Sequence, residues 1–109
     1  MKYYNTKVQI DGIKFDSKKE AKRFNELKIL EKANEISELR LQVKFELQPS
    51  FKKNGKTYRK IEYIADFTYY DNKKQQYVVE DVKGYRTEVF KLKKKLFEYK
   101  YPHLSIKEL

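Results

Sequence analysis

Two antiparallel strands joined by a short turn are predicted in residues 60–83, which read KIEYIADFTYYDNKKQQYVVEDVK. Aromatic and β-branched residues dominate the first ten or so positions, and the polar residues 71–75 are typical of a turn. A second run rich in valine, residues 76–83, forms the returning strand. This hairpin decides the fold, because the remaining elements are arranged around it.

The register of the hairpin brings two acidic residues face to face. If Tyr70 pairs with Tyr77 across the turn, the same register places Asp66 opposite Asp81. Two carboxylates about 5 Å apart repel by roughly 3 kcal/mol at an effective dielectric of 20, and a divalent cation between them reverses the sign. Lys83 lies two residues beyond Asp81 and therefore points to the same face of the sheet.

A small hairpin and a helix are predicted before this region. Residues 8–15 alternate around the turn pair Asp11-Gly12, which favours a two-residue hairpin turn. Ser17 is a favourable N-cap, and Glu20 follows three residues later as in a capping box. On the helix that follows, Glu20 falls within about 40° of the apolar positions, so we expect it to face inward over the sheet.

The other elements complete one domain. A strand is predicted at 41–48 from its alternation, a helix from the N-cap Thr87 to Tyr101, and a short strand at 104–106. The predicted buried stripe of the second helix consists of Val89, Leu92, Leu96 and Tyr99, flanked by Phe90 and Phe97. The sequence therefore predicts a single α/β (α+β) domain over residues 1–109. Its core order is α-β-β-β-α-β, with a mixed sheet, two flanking helices and a parallel β-α-β crossover at the end.

Composition limits the chemistry that this domain can perform. The 109 residues contain 26 Lys and Arg against 16 Asp and Glu, a net charge of +10, together with 16% aromatic residues. The absence of cysteine excludes disulfides, thiolate zinc sites and cysteine nucleophiles. The single histidine, His103, excludes histidine-rich metal sites and paired-histidine acid–base schemes. No segment is predicted to span a membrane and no signal peptide is evident, so we expect a soluble cytoplasmic protein. The positive charge predicts an anionic partner, with nucleic acid as the first candidate.

Three acidic residues form a candidate metal site. Glu20, Asp66 and Asp81 would supply hard oxygen donors beside Lys83, a set that suits Mg²⁺ or Mn²⁺ and phosphodiester chemistry. The pattern acid-x-Lys is common by chance in so lysine-rich a chain, but only Asp81-Val82-Lys83 lies on a strand that faces a second acid. The alternative is a solvated hairpin face with a cross-strand ion pair, where Glu20 serves only as a helix cap.

The same residues resemble a known nuclease superfamily. Residues 11–21 (DGIKFDSKKEA), 63–67 (YIADF) and 79–84 (VEDVKG), on an α-β-β-β-α-β core, are similar to the PD-(D/E)XK nucleases. The likeness is to a phage-encoded branch of unknown function that is itself similar to Holliday-junction-resolvase-like members. It covers nearly the whole chain and implies a restriction-endonuclease-like core. The chain departs from the signature at Ala65, where the superfamily pattern has proline.

The resemblance implies roles for particular residues. It implies Glu20, Asp66 and Asp81 as metal ligands, the Val82 carbonyl as a fourth ligand, and Lys83 as the residue that orients the attacking water or stabilises the pentacovalent phosphate. It implies Mg²⁺ or Mn²⁺ as the cofactor and DNA, double-stranded or branched as in a Holliday junction, as the substrate. A homodimer would supply the two active sites that symmetric junction cleavage needs, and a phage protein would act in the host cytoplasm.

Nucleic-acid contacts are predicted after the acidic site. The candidates are Tyr85, Arg86, Thr87, Lys91, Lys94 and Lys95. A lysine run on a helix is also typical of a plain solvated surface. Thr87 and the helix N-terminus form a second type of phosphate contact. Two other functions fit the sequence: a catalytically inactive nuclease-fold protein that binds nucleic acid or acts as a phage regulator, and a protein-interaction factor whose charge serves solubility.

Overall fold

The computed structural model describes residues 7–82 and 86–109. In chain order the elements are β1 (Val8–Ile10), β2 (Ile13–Phe15), α1 (Lys18–Lys32), β3 (Ile36–Gln48), β4 (Phe51–Lys53), β5 (Lys56–Tyr58), β6 (Ile61–Asp71), β7 (Gln76–Asp81), α2 (Glu88–Lys100) and β8 (Ile106–Glu108). The predicted core order is confirmed as α1-β3-β6-β7-α2-β8. The fold is the mixed α+β domain that the sequence predicts, with an N-terminal hairpin and one additional hairpin, β4–β5.

The central sheet has four strands in the order β3-β6-β7-β8. β3, β6 and β7 are antiparallel neighbours, and β8 pairs with β7 in parallel after the α2 crossover. Tyr70 pairs with Tyr77, so the predicted register of the hairpin is confirmed. At the N-terminus Val8 pairs with Phe15 around the turn at Asp11 and Gly12, whose positive φ angles (52° and 79°) are those of a tight hairpin turn.

The first helix begins as predicted. The Ser17 hydroxyl accepts a hydrogen bond from the Glu20 backbone N–H at 3.1 Å, which satisfies one of the free donors of the first turn. The helix ends at Lys32, and Asn34 takes a left-handed conformation (φ 59°) that turns the chain toward β3.

Two apolar clusters form the core. The first, called the α1 cluster, consists of Phe15, Ala21, Phe24, Leu27, Ile36, Phe67, Tyr69 and Val82. The second, called the α2 cluster, consists of Tyr63, Ala65, Val79, Phe90, Phe97 and Ile106. Each helix therefore covers a different part of the sheet, and the acidic residues of interest lie where the two parts meet.

The predicted buried face of α2 is wrong. Phe90 and Phe97 are buried, whereas Val89, Leu92 and Tyr99 are 62%, 58% and 87% exposed. The helix is rotated toward its two phenylalanines because each ring buries more apolar area than a valine or leucine side chain and meets aromatic partners in the core. Phe97, for example, packs edge-on against Tyr63 with the ring centroids 5.4 Å apart.

Two strands differ from their predicted bounds. β3 begins at Ile36 rather than near residue 41, because a register shift between Ser37 and Arg40, with Glu38 at φ 55°, interrupts the alternation that marks a strand. β8 begins at Ile106, later than predicted. Neither helix in the described ranges has the length and apolar composition to cross a bilayer.

Candidate functional site

The candidate site lies at a twist in the β3–β6 ribbon. Tyr63 and Ala65 belong to the α2 cluster, whereas Phe67 and Tyr69 belong to the α1 cluster, although alternation alone would place all four on one face. The change occurs at Asp66. On the neighbouring strand, the residue opposite it, Gln42, has a left-handed φ of 52°, which a side chain other than glycine adopts only at a local cost.

Asp66 is held by donors from both neighbouring strands. Its Oδ2 accepts a hydrogen bond from the Val82 backbone N–H at 2.7 Å, and its Oδ1 accepts one from the Gln42 side-chain amide at 3.3 Å. The β6–β7 ladder ends at the pair Phe67 and Glu80, one position before Asp66 would meet Asp81. The strands thus separate where two like charges would otherwise face each other, and the Asp66 side chain takes the place of a backbone acceptor.

Glu20 reaches the same place from the first turn of α1. Glu20 is buried, with 6% of its surface exposed, and its carboxyl lies within hydrogen-bonding reach of Asp66. Burial, followed by this hydrogen bond and the charges of Asp66 and Asp16, raises the pKa of Glu20 from 4.5 to about 8. In the absence of a cation, Glu20 therefore keeps its proton at neutral pH beside Asp66.

Asp81 lies beside this pair and is completely buried. Its Oδ2 accepts a hydrogen bond from the Tyr63 hydroxyl at 2.6 Å. Burial, the bond to Asp81 and the charge of Asp66 together raise the pKa of Tyr63 above its usual range, so this hydroxyl stays a donor. Asp81 and Tyr63 also line a cleft of about 280 Å³ that is bordered by Thr87 and Lys93 of the α2 region.

The next acid on β7 has a different role. Glu80 is fully buried and accepts two hydrogen bonds from Arg23, from Nε at 2.8 Å and from Nη2 at 2.6 Å, together with one from the Tyr69 hydroxyl. The sequence places Glu80 on the face opposite Asp81, and this is confirmed. Arg23 stands among the lysines of α1, but its side chain points inward because the buried Glu80 carboxylate needs a cationic partner.

The predicted metal ligands are therefore brought into one region but not into one shared coordination shell. Glu20 and Asp66 form a pair, and Asp81 is turned to Tyr63. Within residues 7–82 and 86–109, no group of three histidine, aspartate or glutamate side chains is arranged to hold a metal ion. The donor chemistry fits Mg²⁺ or Mn²⁺ nonetheless, since all side-chain donors are carboxylate oxygens and two of them already crowd one position. Lys83 lies outside the described residues.

The residues predicted to contact nucleic acid differ in how far their side chains are already bonded within the protein. Arg86 and Lys94 both bind the carboxylate of Glu108, which partly offsets their charge and raises the pKa of Lys94. Thr87 caps α2 by accepting a hydrogen bond from the Phe90 N–H at 2.9 Å. Lys91 lies 3.8 Å from Glu88, Lys95 is exposed, and Tyr85 falls outside the described residues.

Three residues at the site are missing from the sequence prediction. Tyr63 carries a detectable signal, because it stands three residues before Asp66 in a strand that returns beside Asp81. Lys93 lines the cleft but is one of several similar lysines in its helix. Gln42 has no signal in the sequence, since its position depends on the β3 register and on a left-handed backbone conformation.

These observations define the class of protein, which is an α+β domain with buried acidic residues at the twist of its central sheet. A family model described as "protein of unknown function (DUF1064)" matches residues 1–108, and the chain belongs to this family. No curated protein and no solved structure matches the chain.

Proposed function

We propose that the protein is a metal-dependent endonuclease that hydrolyses DNA phosphodiesters. The observation that supports this most is the buried contact between the Glu20 and Asp66 carboxyls. Asp66 is bonded to the N–H of Val82, the residue that follows Asp81. These two acids come from separate elements, α1 and β6, and are buried against each other although two adjacent carboxylates repel. A cation between them would remove the repulsion that keeps one of them protonated.

Each residue has a role in this proposal. Glu20 and Asp66 hold the cation, and the Val82 N–H and the Gln42 amide fix the orientation of Asp66. Tyr63 positions Asp81 as the third acid. The metal, when bound, would lower the pKa of a coordinated water and polarise the phosphate. The Val82 carbonyl and Lys83 keep the roles that the resemblance implies, as a ligand and as the amine beside the scissile phosphate.

The substrate class follows from charge and from the resemblance. A net charge of +10 favours binding to the phosphate backbone, with little need for base recognition. The likeness to Holliday-junction-resolvase-like members favours branched DNA, and the proposal then includes a homodimer that presents two active sites. A phage-encoded enzyme of this kind would act in the host cytoplasm.

The test is cleavage of supercoiled plasmid and of synthetic four-way junctions in Mg²⁺, Mn²⁺ or EDTA. We expect metal-dependent cleavage that falls by about 1000-fold in Asp81→Asn, since losing a metal ligand removes several kcal/mol of transition-state stabilisation. Glu31→Gln is the matched control, because Glu31 is an acid on α1 that pairs with Lys28 far from the site. Equal activity of Asp81→Asn and wild type would contradict the proposal.

A second function is favoured by one observation. Both oxygens of Asp66 already have protein donors, and Asp81 has Tyr63, as expected if these acids serve only to join strands. The protein would then be a nuclease-fold module that binds nucleic acid without cleaving it. Binding to a junction without cleavage under every metal condition would support this function instead.

A further inference from the structure

The β4–β5 hairpin forms an exposed arm. Its two strands, Phe51–Lys53 and Lys56–Tyr58, pair only with each other in a separate two-stranded sheet. Every residue from 51 to 60 is exposed. The turn at Asn54 and Gly55 has positive φ angles of 51° and 74°, which give a tight two-residue connection. A lone two-stranded hairpin is only marginally stable in water, so the arm needs specific stabilisation.

An aromatic pair at the base of the arm supplies part of that stabilisation. Phe51 and Tyr58 face each other in the ladder, and their rings stack 4.8 Å apart with an angle of 9° between the planes. The ammonium of Lys56 lies 5.1 Å from the centre of the Tyr58 ring. Such contacts contribute roughly 0.5–1.5 kcal/mol for the ring pair and about 0.5–1 kcal/mol for the cation.

The charge of the arm opposes this stability. Residues 51–60 contain five cations and no acid. Lys53 and Lys56 are directly opposite each other at the tip, where like charges weaken a strand pair. A hairpin selected for stability alone would carry an opposite-charge pair at this position. Two facing lysines are favourable once a polyanion lies across them, because the anion converts the repulsion into attraction.

We propose that the β4–β5 arm is a binding surface for duplex DNA, with the ribbon in the major groove and its lysines on the backbone phosphates. The major groove of B-DNA, about 12 Å wide, admits a two-stranded β-ribbon, whereas the major groove of A-form RNA is too narrow for side chains to enter. Single-strand binding would use free ring faces, but Phe51 and Tyr58 each cover one face of the other, and Lys56 lies over the Tyr58 ring. This inference rests on DNA being the partner, as in the proposed function, but not on cleavage.

The position of the arm suits a role beside the acidic site. The arm continues directly into β6, and Ile61 at the start of that strand is five residues from Asp66. At about 3.3 Å per residue the two are roughly 16 Å apart. This corresponds to about five base pairs at 3.4 Å each. The acidic site is therefore within the reach of a duplex held by the arm.

The experiment compares two triple variants with the same loss of charge. The arm variant carries Lys52→Gln, Lys53→Gln and Lys56→Gln. The control carries Lys32→Gln, Lys73→Gln and Lys74→Gln, whose lysines are exposed near the other end of β6, about 33 Å from Ile61. Binding of a labelled linear duplex is followed by fluorescence anisotropy in EDTA, over about 50–300 mM KCl, so that salt dependence is measured without cleavage.

The arm variant should lose affinity steeply. Three lost phosphate contacts should make the slope of log K against log [salt] less negative by about 2.7 and weaken binding by about 100-fold or more at 0.1 M salt. The control should stay within about threefold of wild type if its lysines do not contact DNA. The arm variant should melt close to the temperature of the control, because removing the facing lysine pair offsets the lost contact of Lys56 with the Tyr58 ring. Equal melting temperatures exclude misfolding as the cause of the lost affinity.

Several results would overturn the inference. These are equal losses in the two variants, binding of duplex RNA or single strands as tight as duplex DNA, and displacement by polyglutamate as effective as displacement by DNA. If wild type binds duplex DNA through the arm and yet cleaves no substrate with Mg²⁺ or Mn²⁺, the arm inference is supported and the proposed nuclease activity fails. If cleavage persists while the arm variant binds like wild type, the nuclease proposal stands and the arm inference fails.

Discussion

The protonation of Glu20 makes a quantitative prediction about stability. Its pKa is about 8 in the folded protein and 4.5 as a free side chain. Between these values the folded state binds a proton that the unfolded chain does not, so the free energy of unfolding should fall as pH rises from 4.5 to 8. Below 4.5 both states are protonated and above 8 neither is, so the dependence is confined to this window.

The size of the effect follows from the same values. Each pKa unit corresponds to about 1.4 kcal/mol, so a change from 4.5 to about 8 sets an upper limit of about 5 kcal/mol. We expect about 1–3 kcal/mol, because the carboxyl pair can separate and admit water as it ionises. The pKa of Glu108 is lowered by Lys94 and Arg86, so Glu108 gives the opposite dependence: its stabilisation is lost as the pH falls.

The assay is urea unfolding followed by circular dichroism at several pH values from 5 to 8.5, in EDTA. The variant Glu20→Gln should show a much flatter profile, and Glu31→Gln should follow wild type. Added Mg²⁺ should stabilise wild type more at the upper end of the range, because the ionised pair binds the cation. Parallel pH profiles for wild type and Glu20→Gln would refute the assignment of this proton to Glu20.

Three further outcomes test other contacts. Arg23→Met should lower the free energy of unfolding by about 3–5 kcal/mol, because it leaves the Glu80 carboxylate buried without its cationic partner. The double variant Arg23→Met with Glu80→Met should recover most of this loss. No recovery in urea unfolding would argue against a buried ion pair. Tyr63→Phe should raise the Mg²⁺ concentration for half-maximal cleavage by about 10–100-fold, since Asp81 loses the hydroxyl that positions it. An unchanged Mg²⁺ titration would contradict the positioning role of Tyr63. Glu108→Gln should make the slope of log K against log [salt] for DNA binding more negative by about 1.8 if the two cations that it holds, Arg86 and Lys94, both reach phosphate. An unchanged slope would place them outside the interface.

Local features of the fold were predictable because they depend on neighbours in sequence. The Asp11-Gly12 turn, the Ser17 cap and the pairing of Tyr70 with Tyr77 each follow from a few adjacent residues, and all three are confirmed. The inward position of Glu20 also followed from helical geometry alone. Its contact with Asp66 was expected as part of a predicted cluster, and the pairing of the two carboxyls supports that expectation.

Features that depend on long-range packing were not predictable in the same way. The rotation of α2 reflects competition between two apolar stripes for one surface, and the aromatic pair around Tyr63 decides it. The same holds for Arg23, which points inward only because Glu80 needs a partner in the core.

The sequence by itself determined the order of the elements, the hairpin register and the identity of the acids that could act together, because hydrophobic period, caps and turns are local properties. Only the tertiary structure decided which of those acids contact each other and which contact other groups. The ribbon twists at Asp66, so Glu20 joins that residue while Asp81 turns to Tyr63. The physical reason is that the cost of burying several carboxylates is set by the donors that surround them. Those donors come from α1, β3 and β6 and from Val82, which follows β7.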